Sequence, residues 1–198
     1  MDMDRFYGRS VSSTIRYHGA SKHAGGRVRQ DTIAEQLRKL RGRNGYVSIG
    51  HVLKTTPGEL AHTHGVRTIM HVAAVQGGVG TGTAVFESEK LEECVENVLM
   101  QIDHCNAMLE KKKGYRSVLI PMLGAGQGGG TVEDISRRIA KQALDFLEAK
   151  RELESRSTRT LGWLREIYLS AYSDRVESTL REHLDKMCGE GKLERITL

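Results

Sequence analysis

The stretch "VLIPMLGAGQGGGTVED", residues Val118 to Asp134, joins an apolar run to a helix-like one through five glycines in seven positions. The apolar run reads as a strand, while Val132, Ile135, Ile139, Ala143 and Leu147 beyond the glycines recur at helical spacing. The glycines therefore occupy a strand-to-helix turn. Without Cβ atoms, successive N–H groups can converge there, and such a concave nest of dipoles favours an anion. Thr131 stands where its hydroxyl can cap the following helix, with Asp134 three residues on as the second half of a capping signature, so that the first-turn N–H groups face the same loop. Gly124, Ala125, Gly126, Gln127, Gly128 and Gly129 are accordingly candidate ligands for a phosphate or pyrophosphate. Glu133 and Asp134 could instead satisfy the helix dipole themselves, and a long turn without a ligand would carry the same glycine content.

Outward from this loop, strand and helix signals alternate. Residues 30–42, "QDTIAEQLRKLRG", place Ile33, Leu37 and Leu40 at helical spacing and end at Gly42, a plausible C-cap. "YVSIGHVLKTT" (46–56) and "VRTIMHVAAV" (66–75) are rich in β-branched residues and are bounded by turn signals, so they read as strands. From Lys90 to Leu109, the positions Leu91, Cys94, Val95, Val98, Leu99, Ile102, Cys105 and Leu109 trace one helical stripe. "RSVLIPML" (116–123) has the continuous apolar character of a strand covered on both faces. "LREIYLSAY" (164–172) predicts another strand. "DRVESTLREHLDKM" (174–187) predicts a helix with Val176, Leu180, Leu184 and Met187 inward, and "LERITL" (193–198) a short terminal strand. This order implies an α/β layer architecture, in which ligands collect beyond the carboxyl ends of strands, and the glycine loop stands at such an end.

Composition bounds the rest. A chain of 198 residues is enough for one domain, with 38% apolar residues besides 22 glycines and a mean hydropathy of −0.43. No uninterrupted apolar stretch nears the roughly 20 residues that cross a bilayer, and the acidic start is unlike a signal peptide, so a cytoplasmic, non-membrane protein is expected. Cys94, Cys105 and Cys188 form no CxxC pair. They suggest neither disulfides nor zinc, and those on the 90–109 stripe read as small core residues. His62 and His64 in "AHTHG" lack accompanying metal ligands and read as a solvated turn, and no metal is expected. A net charge of +5 could draw an anionic partner, but 5% aromatic content and the lack of a recognisable module argue against nucleic acid. No lysine follows the glycines, which excludes a Walker loop. Gly124, Gly126 and Gly129 match G-x-G-x-x-G, but the next strand ends in "LSAY" without the acidic residue of a dinucleotide fold.

The order of four segments resembles the macro domains, a family that binds ADP-ribose and related NAD-derived metabolites. "GRSVSSTIRYHGA" (8–20) looks like the first glycine loop and its helix, and "GHVLKTTPGEL" (50–60) like the G-x-V-x-x-T-x-G-x-L strand and turn. "GVRTIMHVAAV" (65–75) looks like the strand with its central histidine, and "VLIPMLGAGQGG" (118–129) like the second, phosphate-wrapping loop. The resemblance is strongest over residues 8–182. It implies a single three-layer α/β/α domain with a mixed central sheet, N-terminally truncated relative to the family pattern. Gly124 to Gly129 would wrap the phosphates and distal ribose, Gly8, Ser10, Val11 and Ser12 would approach from the other side, and Tyr172 would pack on the adenine. A tyrosine at a strand end otherwise often keeps its ring inside and its hydroxyl wet. His71, within an apolar strand, reads as a hydrogen-bonded core histidine.

The hydrolysing branch of the family carries an asparagine-containing segment before the first glycine loop and an acid after it. Ser12 stands at the acid position here, and Arg9 interrupts the glycine triplet. A serine without a partner of its own is no general base near neutral pH. The reading is therefore recognition of ADP-ribose or a related nucleotide, with no cofactor. An ADP-ribosyl hydrolase using other residues and a non-binding interaction module are the alternatives. Expected partners are ADP-ribose or an ADP-ribosylated macromolecule, together with a dimer mate or partner chain that completes a sheet lacking outer strands.

Overall fold

A computed structural model describes residues 10–42, 45, 47–77, 84–85, 88–109, 113–125, 130–156 and 164–189. The helices are α1 (Val11–Gly19), α2 (Thr32–Arg41), α3 (Leu60–His64), α4 (Ser88–Met108), α5 (Val132–Arg156) and α6 (Asp174–Gly189). The strands are β1 (Ser21–Lys22), β2 (Val28–Gln30), β3 (Val52–Thr55), β4 (Ile69–Val72), β5 (Gln76–Gly77), β6 (Ala84–Val85), β7 (Ser117–Pro121) and β8 (Glu166–Ser170). The expected terminal strand at 193–198 lies outside the described residues.

Two strand pairs organise the molecule. β3 and β4 are antiparallel, from Val52 opposite Val72 to Thr55 opposite Ile69, whereas β7 and β8 are parallel, from Ser117 opposite Glu166 to Pro121 opposite Ser170. Strand directions are thus mixed. Alternation along β3 and β4 turns Leu53 and Ile69 toward Ile33 and Leu37 of α2, while Val52, Met70 and Val72 pack on a larger cluster under α4 and α5. Helices consequently cover both sides of this pair, α1 and α2 on one and α4 on the other.

The larger cluster holds most of the core. Leu91, Val95 and Leu99 of α4 meet Ile135 and Ile139 of α5, all fully buried, and Val176 and Leu180 of α6 close its far side. At about 25 cal/mol per Å² of apolar surface, each of these aliphatic side chains contributes roughly 1.5–3 kcal/mol against the entropy of ordering it. Arg138 ties the layer across its surface, reaching Glu92 of α4 at 2.9 Å and Asp134 of its own helix at 2.8 Å. Cys94 and Cys105 lie within the α4 stripe as free, buried thiols. Burial pushes the Cys94 thiol up, and its Sγ lies 3.6 Å from the Ala73 carbonyl oxygen.

Two expectations need correction. Leu40 is half exposed, because the cluster that buries Ile33 and Leu37 ends a turn short of it. β7 is covered on one face only: Val118 and Ile120 pack on the main cluster, whereas Leu119 on the opposite face is 64% exposed beside an equally open Tyr168 on β8.

The smaller layer is held by polar contacts. Asp31 caps α2 by accepting from the Ala34 N–H at 2.9 Å, and its other oxygen accepts from Nε and a terminal nitrogen of the buried Arg16 at 3.0 and 2.7 Å. One carboxylate therefore joins α1 to α2. At the same end of α1, the Gly19 carbonyl accepts from the Glu59 N–H at 2.9 Å, so the turn that follows β3 rests on the helix terminus.

Candidate functional site

Because β7 and β8 are parallel and in register through Pro121 and Ser170, their carboxyl ends coincide. β7 leaves the sheet through Met122 and Leu123 into Gly124, whose φ of 85° is the left-handed conformation that favours glycine. The loop then closes on itself, the Gly130 N–H donating to the Gly124 carbonyl at 3.3 Å. Helix α5 begins as expected, with Thr131 Oγ1 accepting from the Asp134 N–H at 3.3 Å. Asp134 does not return the bond. Its carboxylate accepts from Arg137 at 2.6 Å and Arg138 at 2.8 Å. Partial burial alone would raise its pKa, but the two guanidiniums outweigh that and hold it below the usual carboxylate range. An acid committed to two arginines repels an incoming anion less than an unpaired one would.

β8 ends at the same edge. Tyr172 follows it, 60% exposed, and Ser173 then caps α6 by accepting from the Val176 N–H at 3.4 Å. The ring is therefore not turned inside with only its hydroxyl wet. Arg175 in the first turn of α6 lies 3.6 Å from Glu133 in the first turn of α5, which sets the two helix starts side by side.

The third candidate segment opens α1. Ser10 is its N-cap in a full capping box: its Oγ accepts from the Ser13 N–H at 3.1 Å, and its own N–H donates to Ser13 Oγ at 3.2 Å. Val11 is exposed and Ser12 half-buried. The carboxyl end of α1 rests on the turn after β3, at the end where β4 begins, and Arg67 links that end to the turn before β7 through the Gly114 carbonyl at 2.8 Å. Nine residues of helix, about 13 Å at 1.5 Å per residue, separate that contact from the Ser10 cap. No hydrogen bond among the described residues joins Ser10, Val11 or Ser12 to Gly124 or Ala125.

Of the sequence-derived candidates, Gly8, Gly126, Gln127, Gly128 and Gly129 lie outside the described residues, as does Arg9. The Ala125 N–H donates to the Met122 carbonyl at 3.3 Å, and Ala125 packs partly on the core. His71 is the hydrogen-bonded histidine expected, its Nε2 2.8 Å from Thr55 Oγ1. Burial first, and the positive charge of Arg16 second, lower its pKa to about 4, so it stands neutral at pH 7. His62 and His64 are exposed on α3, and no metal-holding group of histidine, cysteine and carboxylate occurs among the described residues.

A concavity of about 550 Å³ lies between the segment Ser48 to Val52 and a polar face of α4 bearing Glu93, Asn97, Gln101 and His104. Asn97 Nδ2 donates to the Gly50 carbonyl at 3.0 Å across its floor. Sequence reading missed this cleft. The signal was present as a polar stripe at helical spacing opposite the apolar one.

A glycine loop opening from a parallel strand, beside a second strand end, is the arrangement at whose strand termini open α/β folds place their ligands. The chain belongs to the macro domain family, whose profile matches residues 19–139. Among solved structures it resembles an Oceanobacillus iheyensis macrodomain variant with ADPR at 18% identity, covering 92% of this chain and 80% of that one with a TM-score of 0.62. The Oceanobacillus iheyensis macrodomain with ADP is similar at 18% identity, with 92% and 78% coverage and a TM-score of 0.60. A Trypanosoma brucei macrodomain in complex with ADP aligns at 17% identity over 86% of this chain and 59% of that one, with a TM-score of 0.50. No curated protein matches the chain. Among the described residues, no helix is long and apolar enough to cross a membrane.

Proposed function

We propose that this protein binds ADP-ribose or a related NAD-derived nucleotide at the edge where β7 and β8 end. The observation that carries the reading is the glycine loop itself, which departs from a parallel strand through a left-handed Gly124, closes at Gly130 and leads into a capped helix. Family membership and similarity to macrodomains whose structures contain ADPR and ADP support a nucleotide as the anion. In this reading, the amides of Gly126 to Gly129 hold the diphosphate, Ser10, Val11 and Ser12 approach from the α1 side, and Tyr172 offers its exposed ring to the adenine. The ligand is recognised either free or attached to a modified macromolecule.

Calorimetric titration with ADP-ribose, with AMP and NAD as comparators, tests the reading. Saturable binding that prefers ADP-ribose is expected. Gly126→Glu should abolish it by filling and charging the loop, and affinity retained in that variant would remove the loop from the site.

A further inference from the structure

Between Arg16 and Asp31 the chain holds Lys22, Arg27 and Arg29 and no aspartate or glutamate. Asp31 itself is committed to Arg16, and Glu35, the next acid, accepts from Gln30 Nε2 at 3.3 and 3.2 Å. The three cations are exposed, and among the described residues none of them makes an ion pair. They stand on the β1–β2 hairpin, which turns where the Gly26 N–H donates to the His23 carbonyl at 2.9 Å and Gly26 takes a φ of 77°. The register pairs Ser21 with Gln30 and Lys22 with Val28, so Arg29 is the extra residue of a bulge. No residue of this hairpin belongs to either core cluster. Packing therefore does not dictate its composition. The last turn of α1 nonetheless holds it in place. Tyr17 Oη donates to the Gly26 carbonyl at 3.4 Å, and Lys22 Nζ lies 4.1 Å from the centre of the Tyr17 ring. His18 meets the same ring edge-on, with centroids 5.4 Å apart. The tyrosine remains 42% exposed, so an accessible ring and a positive charge share one spot.

We propose that this hairpin and Tyr17 form a binding surface for single-stranded nucleic acid, with Lys22, Arg27 and Arg29 on its phosphates and a base against the Tyr17 ring. Backbone phosphates answer cations that have no acid of their own, and guanidinium groups take them with two parallel hydrogen bonds. A base answers an exposed ring beside such a cation. A duplex keeps its bases stacked on one another and withholds their faces. An acidic peptide supplies negative charge without the repeated flat rings that a stacking platform takes. The low aromatic content of the chain argues the other way only as an average, which does not show where a ring stands. The surface involves none of the residues of the nucleotide reading, and the two stand or fall separately.

The test is fluorescence anisotropy of a short labelled oligouridylate on the full chain. Saturable binding is expected, with log K falling against log salt at a slope of about −2, as three phosphate contacts at roughly 0.7 each require. Replacing the cations together, Lys22→Gln, Arg27→Gln and Arg29→Gln, should weaken binding at about 50 mM salt by tenfold or more and flatten the slope. Tyr17→Leu should weaken it by about fivefold or more with the slope unchanged, because stacking releases no counterions. A control that removes three positive charges from α5 and α6, Arg151→Gln, Arg181→Gln and Lys186→Gln, should bind as the parent does. Each variant is first shown to be folded by circular dichroism. Equal losses in the two triple variants would assign the effect to net charge and overturn the proposal. So would parental affinity in Tyr17→Leu, or the absence of binding by the folded parent chain. Displacement by polyglutamate as effective as by unlabelled oligouridylate at matched charge would overturn it too, by assigning the surface to an acidic protein.

Discussion

Gly58 is where a single hydrogen atom in place of a side chain decides a packing contact. Its φ is 58°, and a Cβ built there would meet the Gly19 carbonyl oxygen at 2.0 Å, a backbone atom that cannot swing aside. Gly58→Ala is therefore expected to cost at least about 2 kcal/mol, from left-handed strain and displacement of the α1 terminus together, read as a lower urea midpoint. His71 makes the second residue-level prediction. Its folded pKa of about 4 lies below the ordinary 6.5, so between those values the unfolded chain binds the proton and the folded one does not. Its contribution is complete above about pH 6.5 and is lost as pH falls toward 4, by up to about 3 kcal/mol. Comparing urea midpoints at pH 7 and pH 4.5 should show a smaller acid loss in His71→Gln than in the parent chain, and equal losses would contradict the assignment. The placement of this histidine was legible from its apolar strand. Its partner Thr55 was not, because the antiparallel register brings together residues sixteen positions apart.

At the scale of elements, α1 and α2 are joined through one acid. Asp31 caps α2 and pairs with Arg16, which is 1% exposed. Asp31→Ala should cost about 4 kcal/mol, combining a lost cap of roughly 1 kcal/mol with the separation of a buried guanidinium from its carboxylate. Adding Arg16→Met should recover part of that loss, since no buried charge is then separated from its counter-ion. A double variant no more stable than Asp31→Ala in chemical denaturation would show that the pair itself matters little. Sequence reading found α2 and its C-cap from periodicity, and α1 only through the family likeness. The Arg16–Asp31 pair escaped it, because neither helix carries a local sign of which carboxylate it will meet.

For the molecule as a whole, the consequential feature is that β7 and β8 bury one face and expose the other. Leu119→Lys should change stability by less than about 0.5 kcal/mol, whereas Ile120→Ala, one residue along and 4% exposed, should cost about 2–5 kcal/mol. Comparable losses in the two variants, measured by thermal or urea unfolding, would mean that the Leu119 face is covered in solution. The apolar run containing both residues predicted coverage on either side. Hydrophobicity along a strand records what a residue can be buried against, not whether a neighbour is there to bury it.

Local physics was sufficient for most of the longer elements. A period of 3.6 located α2, α4, α5 and α6, runs of β-branched or continuously apolar residues located strands β3, β4, β7 and β8, glycine content marked the turn after β7, and Thr131 marked the start of α5. These signals depend only on residues a few positions apart, which is why one chain read in order reveals them. Tertiary structure alone decided that Arg16 meets Asp31, that His71 meets Thr55, that Arg138 reaches Glu92, and that two strand pairs rest on one helical layer. Each of these depends on distances between segments remote in sequence, where packing and the competition among hydrogen-bond partners determine which contact forms.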